Sequence, residues 1–177
     1  MIETRTAGRT VFEGKLLSVS VDQVQREDGR EAQREVVHHP GAVAILPVHA
    51  DGSVTLVRQF RYAAGRHLLE VPAGTREPGE APEVTAVREL QEETGIRATT
   101  VELTQRFYIS PGWCDEQLSI YRATDLTDGE MAQEDDEAIE IVQVPAAELQ
   151  AHIASGDIAD AKTIVAVLHH LATLPLA

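Results

Sequence analysis

The sequence predicts an α/β domain: a mixed β-sheet sandwiched between helices, preceded by an N-terminal antiparallel β-extension. Three observations carry this. The first half is a series of short β-type runs separated by Pro-Gly and Asp-Gly signals. A single amphipathic helical stretch follows, and after further strand-like runs the chain ends in helical patterns. With 177 residues, 43% of them hydrophobic, the chain can bury one sizeable core, and no internal repeat or long linker divides it.

Taken in order, residues 1–9 are polar and read as loose. Residues 10–24 are β-rich with partial alternation, Asp28-Gly29 is a turn signal, and 30–38 read as the returning strand. Residues 1–39 therefore form the β-extension, and Pro40-Gly41 marks the boundary to a main domain, 40–177. Residues 42–48 are an almost unbroken apolar run, read as a buried strand. Asp51-Gly52 turns it, and 53–60 alternate as the hairpin partner. Residues 61–66 are a loop, and 67–71 a short strand leading into Pro72-Ala73-Gly74. Beyond the helix, 99–109 is strand-like, Ser110-Pro111-Gly112 breaks it, and 117–123 alternates again. Residues 125–137 are a strongly acidic loop and 138–144 a strand. Pro145 opens a helix that stops near Gly156, and 160–174 is a last helix with apolar Ile164, Val165, Val167, Leu168 and Leu171.

The central helix has the clearest limits. Pro82 suits the first helical turn and Gly95 the C′ stop. Between them Val84, Val87 and Leu90 recur every third residue, while Glu89, Glu92 and Glu93 stand at i, i+3 and i+4. At about 100° per residue these two sets centre on nearly opposite sides. The expectation is a buried face on Val84, Val87 and Leu90, and a patch of three negative charges opposite it. Like charges at this spacing destabilise a bare helix by roughly 0.2–0.5 kcal/mol per pair. A positive partner is expected, and hard divalent cations with oxygen ligands suit it; a solvated acidic face is the plainer alternative.

Charge and cysteine content narrow the partners. A net charge of −14 argues against a grip on nucleic acid or on an anionic membrane. One cysteine, Cys114, permits no internal disulfide, and with no apolar signal core the expected location is cytoplasmic. His38-His39 and His169-His170 are adjacent pairs whose side chains diverge, so they read as structural and not as metal pairs.

The stretch 74–96 reads G, five residues, E, seven residues, R-E-L-Q-E-E-T-G-I. It resembles the Nudix box at every fixed position: Gly74, Glu80, Arg88, Glu89, Leu90, Glu92, Glu93, Gly95 and Ile96. VRQFRY, LLEVPAG and SPGWCDE, with Pro111 sixteen residues after Gly95, resemble the ADP-ribose pyrophosphatase branch of that family. The resemblance implies a Nudix fold and a homodimer built through the N-terminal strands. The implied activity is metal-dependent hydrolysis of a nucleoside diphosphate sugar, ADP-ribose, to AMP and ribose 5-phosphate.

The implied roles attach to single residues. Glu89, Glu92, Glu93 and the Ala73 carbonyl would hold two or three Mg²⁺ ions, with Mn²⁺ as a substitute, while Glu80 and Arg88 would pair structurally. Arg61 resembles the phosphate-contacting arginine, and its planar guanidinium suits that work. Glu70, Pro111 and Glu116 would line the substrate site, and Arg34 and Glu35 would reach the adenosine held by the neighbouring subunit. Trp113 would pack against the ribose or in the dimer interface. The general base falls in the acidic loop, at Glu137 by its offset from the following strand, with Glu134 the alternative. GDP-mannose as substrate, and a non-catalytic ADP-ribose sensor, are the rival readings.

Overall fold

A computed structural model describes residues 2–77, 79–131 and 139–174. In chain order these residues form β1 (Glu3–Glu13), β2 (Ser18–Arg26), β3 (Glu31–His38), β4 (Ala42–Pro47), β5 (Val54–Arg61), β6 (Arg66–Glu70) and β7 (Ala73–Thr75). Then come α1 (Pro82–Thr94), β8 (Ile96–Tyr108), β9 (Gln117–Asp128), β10 (Ile139–Val144), α2 (Leu149–Ser155) and α3 (Ala161–Thr173). The chain divides into two units: Met1–Gly41 with Phe107–Leu118, and Ala42–Arg106 with Ser119–Ala177.

In the larger unit the strands form a four-stranded sheet, β7-β4-β9-β8, and a three-stranded sheet, β10-β5-β6. β4 and β9 are internal. A strand covered on both faces reads as a continuous apolar run, and Val43, Ala44, Ile45 and Leu46 are all buried. Val43 and Ile45 pack with Ala86 and Leu90 of α1 and with Tyr121 and Ala123 of β9. Burying a leucine such as Leu90 contributes roughly 1.5–3 kcal/mol. β5 is buried from Val54 to Val57 and emerges at its far end, so its last residue, Arg61, reaches the surface while its backbone is still paired with β6.

α1 begins and ends as the sequence predicts. Pro82 opens it, and Gly95 caps it at φ 69°, donating its N–H to the Gln91 carbonyl at 2.8 Å. Its orientation differs from the expectation. Val84 and Val87 are exposed, and the buried residues are Thr85, Ala86, Leu90, Glu93 and Thr94. The helix has turned so that Glu93, not the valines, faces inward. In α3 the buried stripe is Thr163, Ala166, Val167 and His170, a regular i, i+3, i+4, i+7 pattern that leaves Leu168 exposed.

In the smaller unit β1, β2 and β3 form an antiparallel sheet. The residues expected to be loose, from Glu3 onward, are part of β1. Every residue of that strand is exposed, so no alternation announced it. Its position comes from pairing with β2, interrupted by register shifts at Arg5/Ala7 and Thr10/Phe12. The segment carrying Pro111 returns to this sheet. Val37 donates its N–H to the Trp113 carbonyl at 2.8 Å, and Asp115 donates to the Val37 carbonyl at 3.1 Å.

Candidate active site

The box helix presents its carboxylates to β7 and to one arginine. Glu93 is buried, and its Oε2 accepts the Ala73 N–H at 3.2 Å. Arg88 Nη1 donates to Glu92 at 2.8 Å and lies 2.9 Å from Glu89 Oε1, while its Nε and Nη2 grip Glu80 at 3.2 and 3.1 Å. Arg88 therefore binds Glu80 as expected and is at the same time the positive partner of two of the three patch carboxylates. Glu80 also accepts from the Thr85 hydroxyl at 2.9 Å, and its carbonyl takes Arg76 Nη2 at 3.0 Å. The loop ahead of the helix is thereby fastened to it.

Arg88's hydrogen bonds, helped by Thr85, hold the Glu80 carboxyl down from 4.5 to about 2. Its folded value is thus depressed relative to the unfolded chain. The stability it contributes is fully present above the unfolded value and is lost as pH falls toward about 2. Glu80→Gln should therefore flatten the fall in melting temperature between pH 4.5 and pH 2.5. Parallel wild-type and variant melting curves over that range would show that the pair does not act this way.

Among the described residues no group of three or more His, Cys, Asp or Glu side chains converges closely enough to hold a metal ion. Glu89 and Glu92 lie against Arg88, and Glu93 lies against Ala73. Two features nonetheless fit a hard divalent cation. The donors expected from the sequence, the Ala73 carbonyl and the carboxylates of Glu89, Glu92 and Glu93, would all be oxygen. And Gly74 is a cradle, because a Cβ there would lie 2.0 Å from Cδ and Oε1 of Glu89 and 2.4 Å from Oε2. Only glycine lets the β7 backbone come this close to that carboxylate.

Beside the box is a charge network spanning three elements. Arg61 donates from Nε to Glu70 Oε1 at 2.8 Å and from Nη2 to Glu70 Oε2 at 2.7 Å, a two-point fork. Glu70 is only 1% exposed, and its Oε2 also accepts Lys162 Nζ. Lys162 reaches Asp160 Oδ2 at 3.1 Å, and Asp160 caps α3 by accepting the Thr163 N–H at 3.0 Å. The Thr163 hydroxyl in turn accepts the Val71 N–H at 3.0 Å. Burial would raise the Glu70 carboxyl, but the Arg61 hydrogen bonds and the Lys162 charge outweigh it and hold it below its ordinary value. The Glu70 hydrogen bonds raise Arg61 above its ordinary value against the opposing effect of burial, and the charges of Glu93 and Asp160 add to this. Sequence reasoning missed Lys162, Asp160 and Thr163. The one available signal was scarcity, because only two of the fifteen basic residues are lysines.

The remaining expected residues lie in the smaller unit. Arg34, Pro111 and Trp113 line one cleft of about 390 Å³, with Tyr108 and Glu3. Arg34 Nε donates to Glu3 at 2.9 Å, and Nη2 contacts the other oxygen. Glu35 does not join Arg34. Successive strand residues face opposite ways, and Glu35 lies instead in a trough with Arg9, Gln23 and Gln33. Glu116 stands outside the cleft, 3.9 Å from His39 Nδ1. His38 bridges Ser20 Oγ at 2.9 Å and Asp115 Oδ2 at 2.6 Å. That Ser-His-Asp order resembles a nucleophilic triad, but Ser20 is buried in the sheet, out of reach of a substrate. His170 is buried too, and burial, with Arg122 nearby, pushes it down. Glu134 and Glu137 lie outside the described residues.

Residues 37–166 match the family model described as the NUDIX domain. The chain is 39% identical over 167 residues to an ADP-ribose pyrophosphatase of Bacillus subtilis, covering 93% of this chain and 90% of that one. It is 36% identical over 159 residues to a methanol dehydrogenase activator of Bacillus methanolicus, covering 89% and 86%. Its fold matches a crystal structure of an ADP compounds hydrolase with a TM-score of 0.85, at 22% identity, over 96% of this chain and 92% of that one. The chain belongs to the Nudix family, and its architecture is the Nudix fold. Hydrolases of this family generally use divalent metals.

Proposed function

We propose that this protein hydrolyses the diphosphate bond of ADP-ribose, giving AMP and ribose 5-phosphate. The observation that carries the reading is a complete Nudix box, with Glu93 on Ala73 and Glu89 on the bare Cα of Gly74, in a chain matched almost end to end by an ADP-ribose pyrophosphatase. The Ala73 carbonyl, Glu89, Glu92 and Glu93 would hold Mg²⁺, two or three ions in all. When bound, the metal neutralises the diphosphate oxygens and makes water a better nucleophile. Arg61 presents to a phosphate oxygen the Nη1 that its fork to Glu70 leaves over. Glu137, or Glu134, takes the proton of the attacking water. The P–O–P bridge breaks, and the leaving phosphate departs on the other product.

The cleft of Arg34 and Trp113 suits a nucleoside, with an aromatic face beside a guanidinium that Glu3 and the Gln33 carbonyl hold in place. We assign it to the adenosine bound by a second copy of the chain. β1 supports a homodimer, because an exposed outer strand carrying Val11 and Phe12, with Ile2 just ahead of it, is a surface that proteins normally cover. Removing residues 1–39 should give a monomer with weakened substrate affinity by sedimentation and kinetics, and an active monomer would end this assignment. Among the described residues no helix is long and apolar enough to cross a membrane, and we place the protein in the cytoplasm.

The deciding experiment is turnover of a panel of nucleoside diphosphate compounds, including GDP-mannose, by the purified chain with Mg²⁺ or Mn²⁺. ADP-ribose should give the highest kcat/KM. Preference for GDP-mannose would reassign the substrate, and absence of any turnover would favour a sensor or a protein activator. Glu137→Gln should be far slower than Glu134→Gln, and the reverse order would move the base.

A further inference from the structure

The network beside the box contains a charge that the reaction itself does not use. Lys162 stands 92 residues from Glu70 in sequence, yet both it and Arg61 bind the same carboxylate oxygen. The charges alternate along the line Asp160, Lys162, Glu70, Arg61. One end is anchored in the first turn of α3, where Thr163 also ties the helix to Val71, the residue after Glu70. The other end is the Arg61 guanidinium, whose side chain is 39% exposed. Only Glu70, 1% exposed, and Lys162, 16% exposed, separate the two.

We propose that Lys162 is a positioning residue for Arg61, acting through Glu70 to hold the guanidinium side-on with one nitrogen free for a diphosphate oxygen. The inference rests on the reading that Arg61 meets the substrate diphosphate. A buried carboxylate with a single cation draws that cation fully onto itself. With two cations on Oε2, the charge of Glu70 is divided, and Arg61 keeps net positive charge to offer an anion. The fork also removes rotamer freedom from a long side chain before the ligand arrives, so less is lost on binding. Lys162 need touch neither substrate nor metal.

The prediction is a split between binding and chemistry. Lys162→Met should raise KM for ADP-ribose by about tenfold or more, while kcat stays within about threefold, as expected when an interaction common to ground and transition states is weakened. Lys162→Arg, which keeps a donor and a charge, should restore most of the affinity. In a Glu70→Gln background Lys162→Met should add less than about twofold, because residues that act as a unit are not additive. Thermal melts check folding. Lys162→Gln replaces the methionine variant in the same cycle if the latter does not fold.

An unchanged KM in Lys162→Met, or effects of Lys162→Met and Glu70→Gln that multiply, would overturn the proposal. A wild-type protein without turnover on ADP-ribose would instead overturn the proposed activity. The same cycle is then read as Kd for ADP-ribose by calorimetry, with the same additive or non-additive outcomes.

Discussion

Glu93→Gln should lower kcat by about three orders of magnitude or more while leaving the protein folded. The size follows from the work a metal ligand does. Charge stabilisation by a bound cation is worth several kcal/mol in the transition state, and each 1.36 kcal/mol is a factor of ten. Folding should survive because glutamine keeps the shape and one acceptor. Its Oε1 can still take the Ala73 N–H that Glu93 Oε2 takes at 3.2 Å. The buried site also exchanges a full charge for a neutral amide, which removes a desolvation cost. The melting temperature should therefore move by only a few degrees. Steady-state turnover at saturating Mg²⁺ and a melting curve suffice as the measurement. A loss smaller than tenfold would show that Glu93 is not a metal ligand in this protein.

That same residue explains where the sequence was readable and where it was not. The limits of α1 were legible because Pro82 and Gly95 act through backbone geometry that any sequence reader can apply. Its inward face was not. Hydrophobic periodicity points to Val84 and Val87, but the helix turns Glu93 toward β7 and leaves the valines exposed. A carboxylate buried against β7 inverts the apolar rule, and such a position is where pattern reasoning is expected to fail. β4 was legible for the opposite reason, because its unbroken apolar run has one plausible home, inside a sheet covered on both faces. The first part of β1, up to residue 9, offered no pattern, since a strand exposed along its whole length is held by pairing with β2 and not by burial.

The smaller unit shows a limit of a second kind. Arg34 and Glu35 are adjacent in sequence and invite a joint role, yet the period of two in a strand sends them to separate faces. Conversely, Arg61, Glu70 and Lys162 are distant in sequence and meet at one carboxylate. The first two were named through the family resemblance and not through their pairing: the hairpin expected joined 42–48 to 53–60, whereas β5 pairs with β6 and lies in a different sheet from β4. The third was not, because a contact across 92 residues depends on how α3 packs, which no local spacing encodes.

Gly74→Ala should cost about a hundredfold or more in kcat with almost no loss of stability. Gly74 does not occupy the left-handed region of backbone space, so alanine is compatible with its conformation. Where the backbone allows it, Gly→Ala even tends to stabilise, by roughly 0.4–1 kcal/mol, through the unfolded chain. The difficulty lies entirely in the added methyl, which would sit 2.0 Å from Cδ and Oε1 of Glu89. What it meets is the far end of a flexible side chain, so Glu89 swings aside at small cost to the fold. In doing so it leaves the position from which it would ligate. Misplacement of a catalytic group by about 1 Å is enough for a loss of that order. Calorimetric titration with Mn²⁺ should show weakened binding alongside the slower turnover, and a melting curve should show an intact protein. Near-normal kcat in Gly74→Ala would mean that the approach of β7 does not set the Glu89 carboxylate, and that the glycine of the box serves the loop alone.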